Sequence, residues 1–263
     1  MTTGYDPAFL GLEVPPPAAA RALTTLDYTH FAVAMDPLRR LAAWTAVAID
    51  GAALRDVPRG GDDWRLDDRI PETEQAGPEL YARNDLDRGH LVRRRDPVWG
   101  EEAVAARANA DTFHYTNAAP QASGFNQSKE LWLGLEDYLL EAAEAADARL
   151  VVVTGPVFEE DDPEYRGILI PLAYWKVAAW VADGALCATA YLLEQRPLLG
   201  ARAVESGELE LGPFRTFQVA VAEVAELTGL ELGALPAADR LQPQPGALPQ
   251  QRRQLESFGD IVL

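Results

Sequence analysis

The residues with the clearest chemical potential form the motif Asp87-Arg88-Gly89-His90. His90 is one of three histidines, and histidine is the side chain whose ordinary pKa, about 6.5, lets it accept a proton near neutral pH. Arg88 keeps its charge, and a planar guanidinium can hold two oxygens of a phosphate. Gly89 leaves room for a tight turn or a bulky substrate. These residue types are typical of a base that works on a phosphate, but a surface ion pair beside a core histidine would give the same four letters.

The motif lies in a basic stretch of an acidic chain. Arginines are concentrated between positions 83 and 95, whereas the whole chain has a net charge of -18 and a pI near 4.5. Proteins that bind nucleic acids usually carry the opposite net charge, but an active site responds to its local field. We therefore treat Arg93 and Arg94 as candidate substrate contacts, with solvated surface charge as the alternative.

The composition excludes several classes of protein. The chain has 263 residues, of which 48% are hydrophobic and 24% charged, as in an ordinary soluble protein. A single cysteine, Cys187, excludes an intramolecular disulfide and disfavours zinc held by cysteines. The sequence has no run of about 20 apolar residues and no secretory signal at its start. We therefore expect no membrane partner and a cytoplasmic location, with export by a signal-less route as the alternative.

The apolar patterns predict one α+β domain built on an antiparallel sheet. Two strands over 30–35 and 41–49 are expected to form a hairpin. Further strands are predicted over 149–154, 172–181 and 185–193, the last two joined by a turn at Asp183-Gly184.

Helices are predicted over 100–110, 128–146 and 217–228. Ser128 is a candidate cap for the second of these helices. We divide the chain into an N-terminal arm or linker (1–25), the main domain (26–240) and a loosely attached C-terminal tail (241–263).

Phosphodiester hydrolysis also needs a group that neutralises the charge developing on the phosphate. A hard divalent ion with oxygen ligands can supply this. Downstream of the motif, Phe125-Asn126-Gln127 offers an amide oxygen and Glu136 offers a carboxylate. Both suit Mg²⁺, which keeps several waters and takes few protein ligands.

Four segments in the same order resemble the DNA/RNA non-specific endonuclease family of ββα-metal nucleases. They are Asp87-Arg-Gly-His90, Thr116-Asn-Ala-Ala-Pro-Gln121, Phe125-Asn-Gln127 and the stretch from Trp132 to Glu136. A fainter likeness extends over roughly residues 28–235. The resemblance implies the ββα-metal nuclease fold, in which helices flank a central antiparallel sheet.

The resemblance also implies one Mg²⁺ per site, with Mn²⁺ as the alternative. The ion would be bound directly by Asn126, while Glu136 would hold its water ligands and so take part in catalysis. The two residues lie ten positions apart, a longer spacing than in shorter members of the family. The alternatives are a helix-entry cap for Asn126 and an exposed helix residue for Glu136.

The same resemblance implies the roles of the cationic residues. His90 would be the general base, and Arg88 would contact the phosphate or the transition state. An upstream arginine would assist, Arg59 being the first choice and Arg65 the second, with a substrate contact as the further role for Arg65.

Four polar residues are instead expected to support the structure. Asn117 and Asp87 are predicted to brace loops through backbone hydrogen bonds. His30 lies in an apolar strand and His114 lies beside aromatic residues, so we interpret both as structural.

These observations lead to a hypothesis of metal-dependent, non-specific endonuclease activity on DNA and also RNA. His90 would take a proton from water, the hydroxide would attack phosphorus in line, and the products would carry 5′-phosphates. The alternative is a catalytically weak module on the same fold that binds nucleic acid or protein, which the acidic charge would suit. A structure-selective nuclease would share the chemistry. The preference between DNA and RNA, a homodimer and an inhibitor partner are left open.

Overall fold

The central element of the molecule is an eight-stranded antiparallel sheet. The computed structural model describes residues 4–58, 60–122, 140, 143–144, 147–197, 211–241 and 252–255. The strands, in chain order, are β1 (Ala18–Ala19), β2 (Thr24–Tyr28), β3 (Phe31–Asp36), β4 (Leu41–Asp50), β5 (Leu86–His90), β6 (Ala118–Ala122), β7 (Arg149–Val157), β8 (Glu164–Tyr165), β9 (Ile168–Leu169), β10 (Ala173–Ala182), β11 (Ala185–Pro197), β12 (Leu211–Val219), β13 (Leu230–Glu231) and β14 (Arg253–Gln254). The helices are α1 (Pro78–Tyr81), α2 (Glu102–Asp111) and α3 (Val221–Thr228).

The order of strands across the large sheet is β14-β12-β11-β10-β7-β4-β3-β2. The predicted hairpin between β3 and β4 is confirmed, as is the one between β10 and β11. Asp183 and Gly184 take positive φ angles of 52° and 75°, which suit the tight turns that match the twist of antiparallel strands. In the first hairpin, the Asp36 carboxylate accepts hydrogen bonds from the backbone N–H groups of Leu38 and Arg39.

The two faces of the sheet bury different parts of the chain. On one face, Val47, Val152 and Tyr174 share a buried cluster with Leu86 and Ala119 of β5 and β6. We call this the motif face, because the Asp-Arg-Gly-His motif lies over it. Burying a valine or leucine side chain contributes about 1.5–3 kcal/mol, so apolar packing holds the motif region to the sheet.

The opposite face is covered by helix α3 and by the N-terminal segment. Trp44 and Trp175 of the sheet pack in one cluster with Val224 of α3 and with Phe9 and Val14. The predicted N-terminal arm is therefore packed against the sheet where it is described. The boundaries of the predicted domain remain a prediction.

The C-terminal region adds the edge of the large sheet. Arg253–Gln254 pairs with β12, and Leu255 is buried. The sequence pattern did not anticipate this strand within the predicted tail.

The predicted helices have different outcomes. The helix expected over 100–110 is α2 and is confirmed. The helix expected over 217–228 is wrong at its start, because Phe217 and Val219 belong to β12 and bury their side chains in the opposite face. Alternate apolar residues followed by an apolar helix made the boundary ambiguous.

The helix predicted over 128–146 falls mainly on residues that are not described, including Ser128. Leu140, Ala143 and Glu144 are helical, and the first two are buried in the cluster of the motif face. In the described ranges, no helix is both long enough and apolar enough to cross a membrane.

A buried carboxylate ties the loop before the motif to the sheet. The Asp67 Oδ2 atom accepts hydrogen bonds from the Tyr28 hydroxyl at 2.5 Å and from Arg69 Nη2 at 2.6 Å. Tyr28 also contacts the Thr116 hydroxyl at 2.7 Å. The Gln75 side chain accepts from the Asp67 N–H and donates to the Asp67 carbonyl. Asp67 thus joins β2, the loop after residue 60 and the segment before β6.

We predict that Asp67 makes stability sensitive to acid. Burial alone would raise the pKa of Asp67, but hydrogen bonds from Arg69 and Tyr28 outweigh it and hold the pKa well below its usual range. The stabilisation is therefore present above the unfolded-state pKa of about 3.9 and is lost as the pH falls below it. Urea unfolding of the wild type and of Asp67→Asn between pH 7 and pH 2.5 measures this. Asp67→Asn should be less stable at pH 7 and lose less free energy of unfolding on acidification.

The exposed neighbour Asp68 supplies the control. Asp68→Asn should follow the wild-type curve. An acid-dependent loss of the same size in Asp67→Asn and the wild type would contradict the assignment.

Candidate active site

The motif residues lie on a two-stranded ribbon that is separate from the large sheet. Strand β5 pairs with β6, so that Arg88 is opposite Pro120 and His90 is opposite Ala118. Residues two apart in a strand share a face, and Arg88 and His90 therefore project from the same side of the ribbon. Arg88 is exposed and His90 is half-buried, which leaves a cation at the surface beside a partly enclosed imidazole.

Gly89 lies between them, and the Gln121 side chain packs into the space that a Cβ atom of residue 89 would fill. A Cβ atom on Gly89 would come within 2.2 Å of the Gln121 side-chain carbon Cδ. Gln121 belongs to β6, opposite Asp87. The glycine thus allows the Gln121 side chain to lie against the backbone between the arginine and the histidine.

Aromatic rings surround the histidine. The centre of the His90 ring lies 4.7 Å from the centre of the Trp64 ring and 5.2 Å from the centre of the Phe113 ring. The planes of the His90 and Phe113 rings meet at 86°, so that this contact is edge-on. The Arg88 guanidinium carbon lies 5.7 Å from the centre of the same Trp64 ring, within the range of a cation–π contact. Trp64 therefore contacts both the candidate base and the candidate phosphate ligand.

Sequence reasoning did not assign Trp64 to the site. The signal was present in the sequence, because Trp64 is a large aromatic residue in an otherwise polar, proline-bearing segment. Only the fold brings that segment to the ribbon.

The loop that carries Trp64 is held by the neighbouring residue. The backbone N–H of Arg65 donates to the Phe113 carbonyl, and the Tyr115 N–H donates to the Arg65 carbonyl, at 3.0 and 2.9 Å. The Arg65 side chain donates to His114 Nε2 at 3.1 Å and to the Ala110 carbonyl at 2.9 Å. Arg65, predicted as a substrate contact, is thus engaged in joining two loops.

The two other histidines serve structure, as predicted. His114 Nε2 accepts from Arg65, so that its Nδ1 carries the proton donated to the Asp111 carbonyl. His30 Nδ1 contacts the Pro97 carbonyl, and its ring stacks on Trp99 with centres 3.4 Å apart. Burial lowers the pKa of both histidines, which favours the neutral ring.

Asn117 braces the backbone that follows His90. Its side-chain oxygen accepts from the Val92 N–H at 2.8 Å, and its amide nitrogen donates to the carbonyls of Val92 and Thr112 at 2.9 and 3.0 Å. The Asn117 carbonyl also accepts from the Leu91 N–H. With its side chain fully buried, Asn117 fixes the chain on both sides of the ribbon's end.

The remaining predicted site residues differ in their surroundings. Arg94 is half-buried and donates through Nη1 to the Val57 carbonyl and to the Asn109 side chain. Arg93 and Asp87 are half-buried.

Three predicted site residues lie outside the described residues, namely the catalytic arginine Arg59 and the metal-site residues Asn126 and Glu136. Within the described part of the chain, no three His, Cys, Asp or Glu side chains gather in a group suited to a metal.

Comparison with protein families and relatives adds an independent observation. A family model described as DNA/RNA non-specific endonuclease matches residues 17–239. The uncharacterized protein y4fB of Sinorhizobium fredii is 40% identical over 98% of this chain and 42% of its own length. Mitochondrial endonuclease G of Homo sapiens is 29% identical over 59% of this chain and 54% of its own length. The mitochondrial nuclease of Saccharomyces cerevisiae is 26% identical over 70% and 56%, respectively. The chain thus spans about half the length of these relatives.

A similar fold is found among solved structures. The crystal structure of the EndoG/EndoGI complex matches with a TM-score of 0.59 and 19% identity, over 79% of this chain and 84% of that chain. The predicted α+β fold, a ββα-metal nuclease architecture with a central antiparallel sheet, is confirmed by this match and by the strand order.

We predict that Asn117→Ala lowers the free energy of unfolding by about 2–4 kcal/mol, because it removes three side-chain hydrogen bonds and leaves buried backbone groups unpaired. Asn84→Ala is the matched comparison. Asn84 also bonds the backbone on both sides of a loop, but it is only half-buried, and its loss should be about 1 kcal/mol. Urea unfolding measures both variants. Equal losses would contradict the bracing role of Asn117.

Proposed function

The chain belongs to the DNA/RNA non-specific endonuclease family, as its motifs predict, and from that premise we propose that it is a metal-dependent endonuclease. Its substrates are the phosphodiester bonds of DNA and of RNA. The observation that carries the proposal is the pairing of His90 and Arg88 on one side of the ribbon, with both side chains against Trp64. This arrangement offers a proton acceptor and an exposed cation within one small region.

In the proposed reaction, His90 accepts a proton from a water molecule that attacks phosphorus in line. The rings of Trp64 and Phe113 restrict the imidazole, so that one orientation is favoured before substrate arrives. The exposed Arg88 guanidinium holds phosphate oxygens and offsets their charge in the transition state. The bond between phosphorus and the 3′ oxygen breaks, the departing oxygen takes a proton from solvent water to form a 3′-hydroxyl, and the product carries a 5′-phosphate.

A divalent ion, Mg²⁺ or alternatively Mn²⁺, would supply further neutralisation of charge on the phosphate. We assign Asn126 as its direct ligand and Glu136 as the holder of its water ligands. Amide and carboxylate oxygens are the ligand types that suit Mg²⁺.

Substrate binding would rest on contacts with the phosphate backbone, which carry no sequence information. Arg93, Arg94 and Arg65 provide a local positive field, and Arg59 is the upstream arginine that we assign to assist catalysis. The net charge of -18 opposes long-range attraction of nucleic acid. We therefore expect weak affinity at physiological salt, and the contacts with phosphates should weaken further as the salt concentration rises.

The acidic charge favours a second candidate function, a catalytically weak module that binds nucleic acid or protein. The two candidates differ in one assay, in which single- and double-stranded DNA and RNA are incubated with Mg²⁺, Mn²⁺ or EDTA. Binding that is insensitive to EDTA and leaves the substrate intact would favour the binding module.

We predict that His90→Ala lowers the rate of plasmid cleavage by about 10²–10⁴-fold, the usual contribution of a general base. His30→Asn is the matched control. His30 has a positive φ of 68°, which asparagine tolerates, and the substitution should leave the cleavage rate close to that of the wild type. Cleavage by His90→Ala at the wild-type rate would exclude His90 as the base.

A second prediction concerns the metal. EDTA should abolish cleavage and added Mg²⁺ should restore it. Asn126→Ala should raise the Mg²⁺ concentration for half-maximal rate more than tenfold, since even outer-shell partners are worth about 10–100-fold in metal affinity. Calorimetric titration with Mg²⁺ alone gives a second readout. If Asn126→Ala lowers the melting temperature and leaves the Mg²⁺ requirement unchanged, Asn126 is a helix cap and not a ligand.

A further inference from the structure

The ribbon of β5 and β6 has no strand ladder to the large sheet among the described residues. Its position therefore depends on packing and on side-chain hydrogen bonds. At the end that carries His90, Asn117 ties the segment after β5 to the segment before β6. The other end meets the large sheet at β11, through Gln195.

The Gln195 amide uses both its acceptor and its donors. The side-chain oxygen accepts from the Ala122 N–H at 3.0 Å. The side-chain nitrogen donates to the Pro120 carbonyl at 3.0 Å and to the Pro171 carbonyl at 2.9 Å. Gln195 is fully buried, so that these bonds are made without competition from water.

Tyr174 adds a bond to the same point. Its hydroxyl donates to the Pro120 carbonyl at 2.6 Å, and the Tyr174 side chain is also fully buried. Burial raises the pKa of Tyr174 well above its usual value, which keeps the hydroxyl protonated as a donor. The Pro120 carbonyl thus receives two hydrogen bonds from the large sheet, one from β10 and one from β11.

Both ribbon residues that Gln195 bonds, Pro120 and Ala122, lie close in the chain or in register to proposed site residues. Pro120 is the register partner of Arg88. Ala122 is the last described residue before the segment that contains Asn126. One buried amide therefore holds the strand opposite Arg88 at both Pro120 and Ala122.

Strand alternation explains why a side chain from β11 can reach the ribbon. Leu193 of β11 is buried in the cluster of the motif face, and Gln195, two residues further along the strand, faces the same side. The Gln195 N–H donates to the Leu172 carbonyl at 2.7 Å, which fixes the backbone at this point.

We propose that Gln195 is a positioning residue that sets the placement of the catalytic ribbon on the large sheet. This inference rests on the proposed nuclease function for its kinetic consequence. Gln195 itself does not contact the substrate. Its loss should therefore reduce turnover through misplacement of Arg88 and His90, since misplacement by about 1 Å can cost 10²-fold in rate.

The test compares Gln195→Met with Gln218→Met. Methionine keeps the length of glutamine and removes its hydrogen bonds. Gln218 is also fully buried, lies on the neighbouring strand β12 and donates to the Thr189 hydroxyl at 2.9 Å. Both variants are measured for kcat, KM, melting temperature and amide hydrogen exchange over 86–90 and 118–122.

The expected result is a fall in kcat of tenfold or more for Gln195→Met, with KM changed by less than about threefold, and faster exchange in both ribbon strands. Gln218→Met should keep kcat and ribbon exchange near the wild type, even where its melting temperature falls by a similar amount. Equal kcat and equal ribbon exchange in the two variants would overturn the proposal.

One more variant, Tyr174→Phe, and the activity of the wild type distinguish the remaining outcomes. Tyr174→Phe removes one hydrogen bond from Pro120 with little loss of volume, and it should lower kcat in the same direction by a smaller factor. It supplies the kinetic test if Gln195→Met does not fold, and an unchanged kcat would then overturn the proposal. If the wild type cleaves no substrate, the proposed function fails, while the exchange comparison still tests the anchoring by Gln195.

Discussion

The candidate site depends on a two-stranded ribbon that must be held on a sheet with which it shares no described strand ladder. Backbone pairing inside the ribbon sets Arg88 and His90 relative to each other, but it cannot set either relative to the rest of the molecule. The buried Gln195 side chain performs that task beside Ala122, where it joins the ribbon to β11, while the buried Asn117 side chain closes the other end through Val92 and Thr112. A buried amide that is fully bonded gives a well-defined geometry, whereas the loss of a partner is costly.

The surroundings of the ribbon explain how an acidic chain can present a local phosphate site. The hydrogen bonds of Asp67 hold the loop before the motif against β2. The same loop places Trp64 against His90 and Arg88. The aromatic surface limits the freedom of the imidazole and leaves the guanidinium exposed. The negative charge of the chain affects the long-range encounter with nucleic acid, while these short contacts determine the chemistry at the ribbon.

Sequence patterns predicted the features that depend on local periodicity and on motif identity. The strands around Asp36 and Asp183 followed from apolar runs separated by turn residues, and the four ordered motifs indicated the family. Trp64 and Gln195 were missed because their roles come from contacts between segments distant in sequence. Arg65 and Arg94 illustrate the same limit, since their charge led to a prediction of substrate contacts that still stands, and only the fold shows that both side chains also bond neighbouring loops. The start of the helix near residue 220 was misplaced because a short apolar run fits either period.

We assign His90 as the base that activates water for phosphodiester hydrolysis. Chemical rescue tests this role by measuring single-turnover cleavage of a DNA duplex by His90→Ala in Mg²⁺ as imidazole is added. We expect a slow variant whose rate rises in proportion to the concentration of unprotonated imidazole, while the wild-type rate does not change. A His90→Ala rate that is independent of imidazole would show that His90 is not the base.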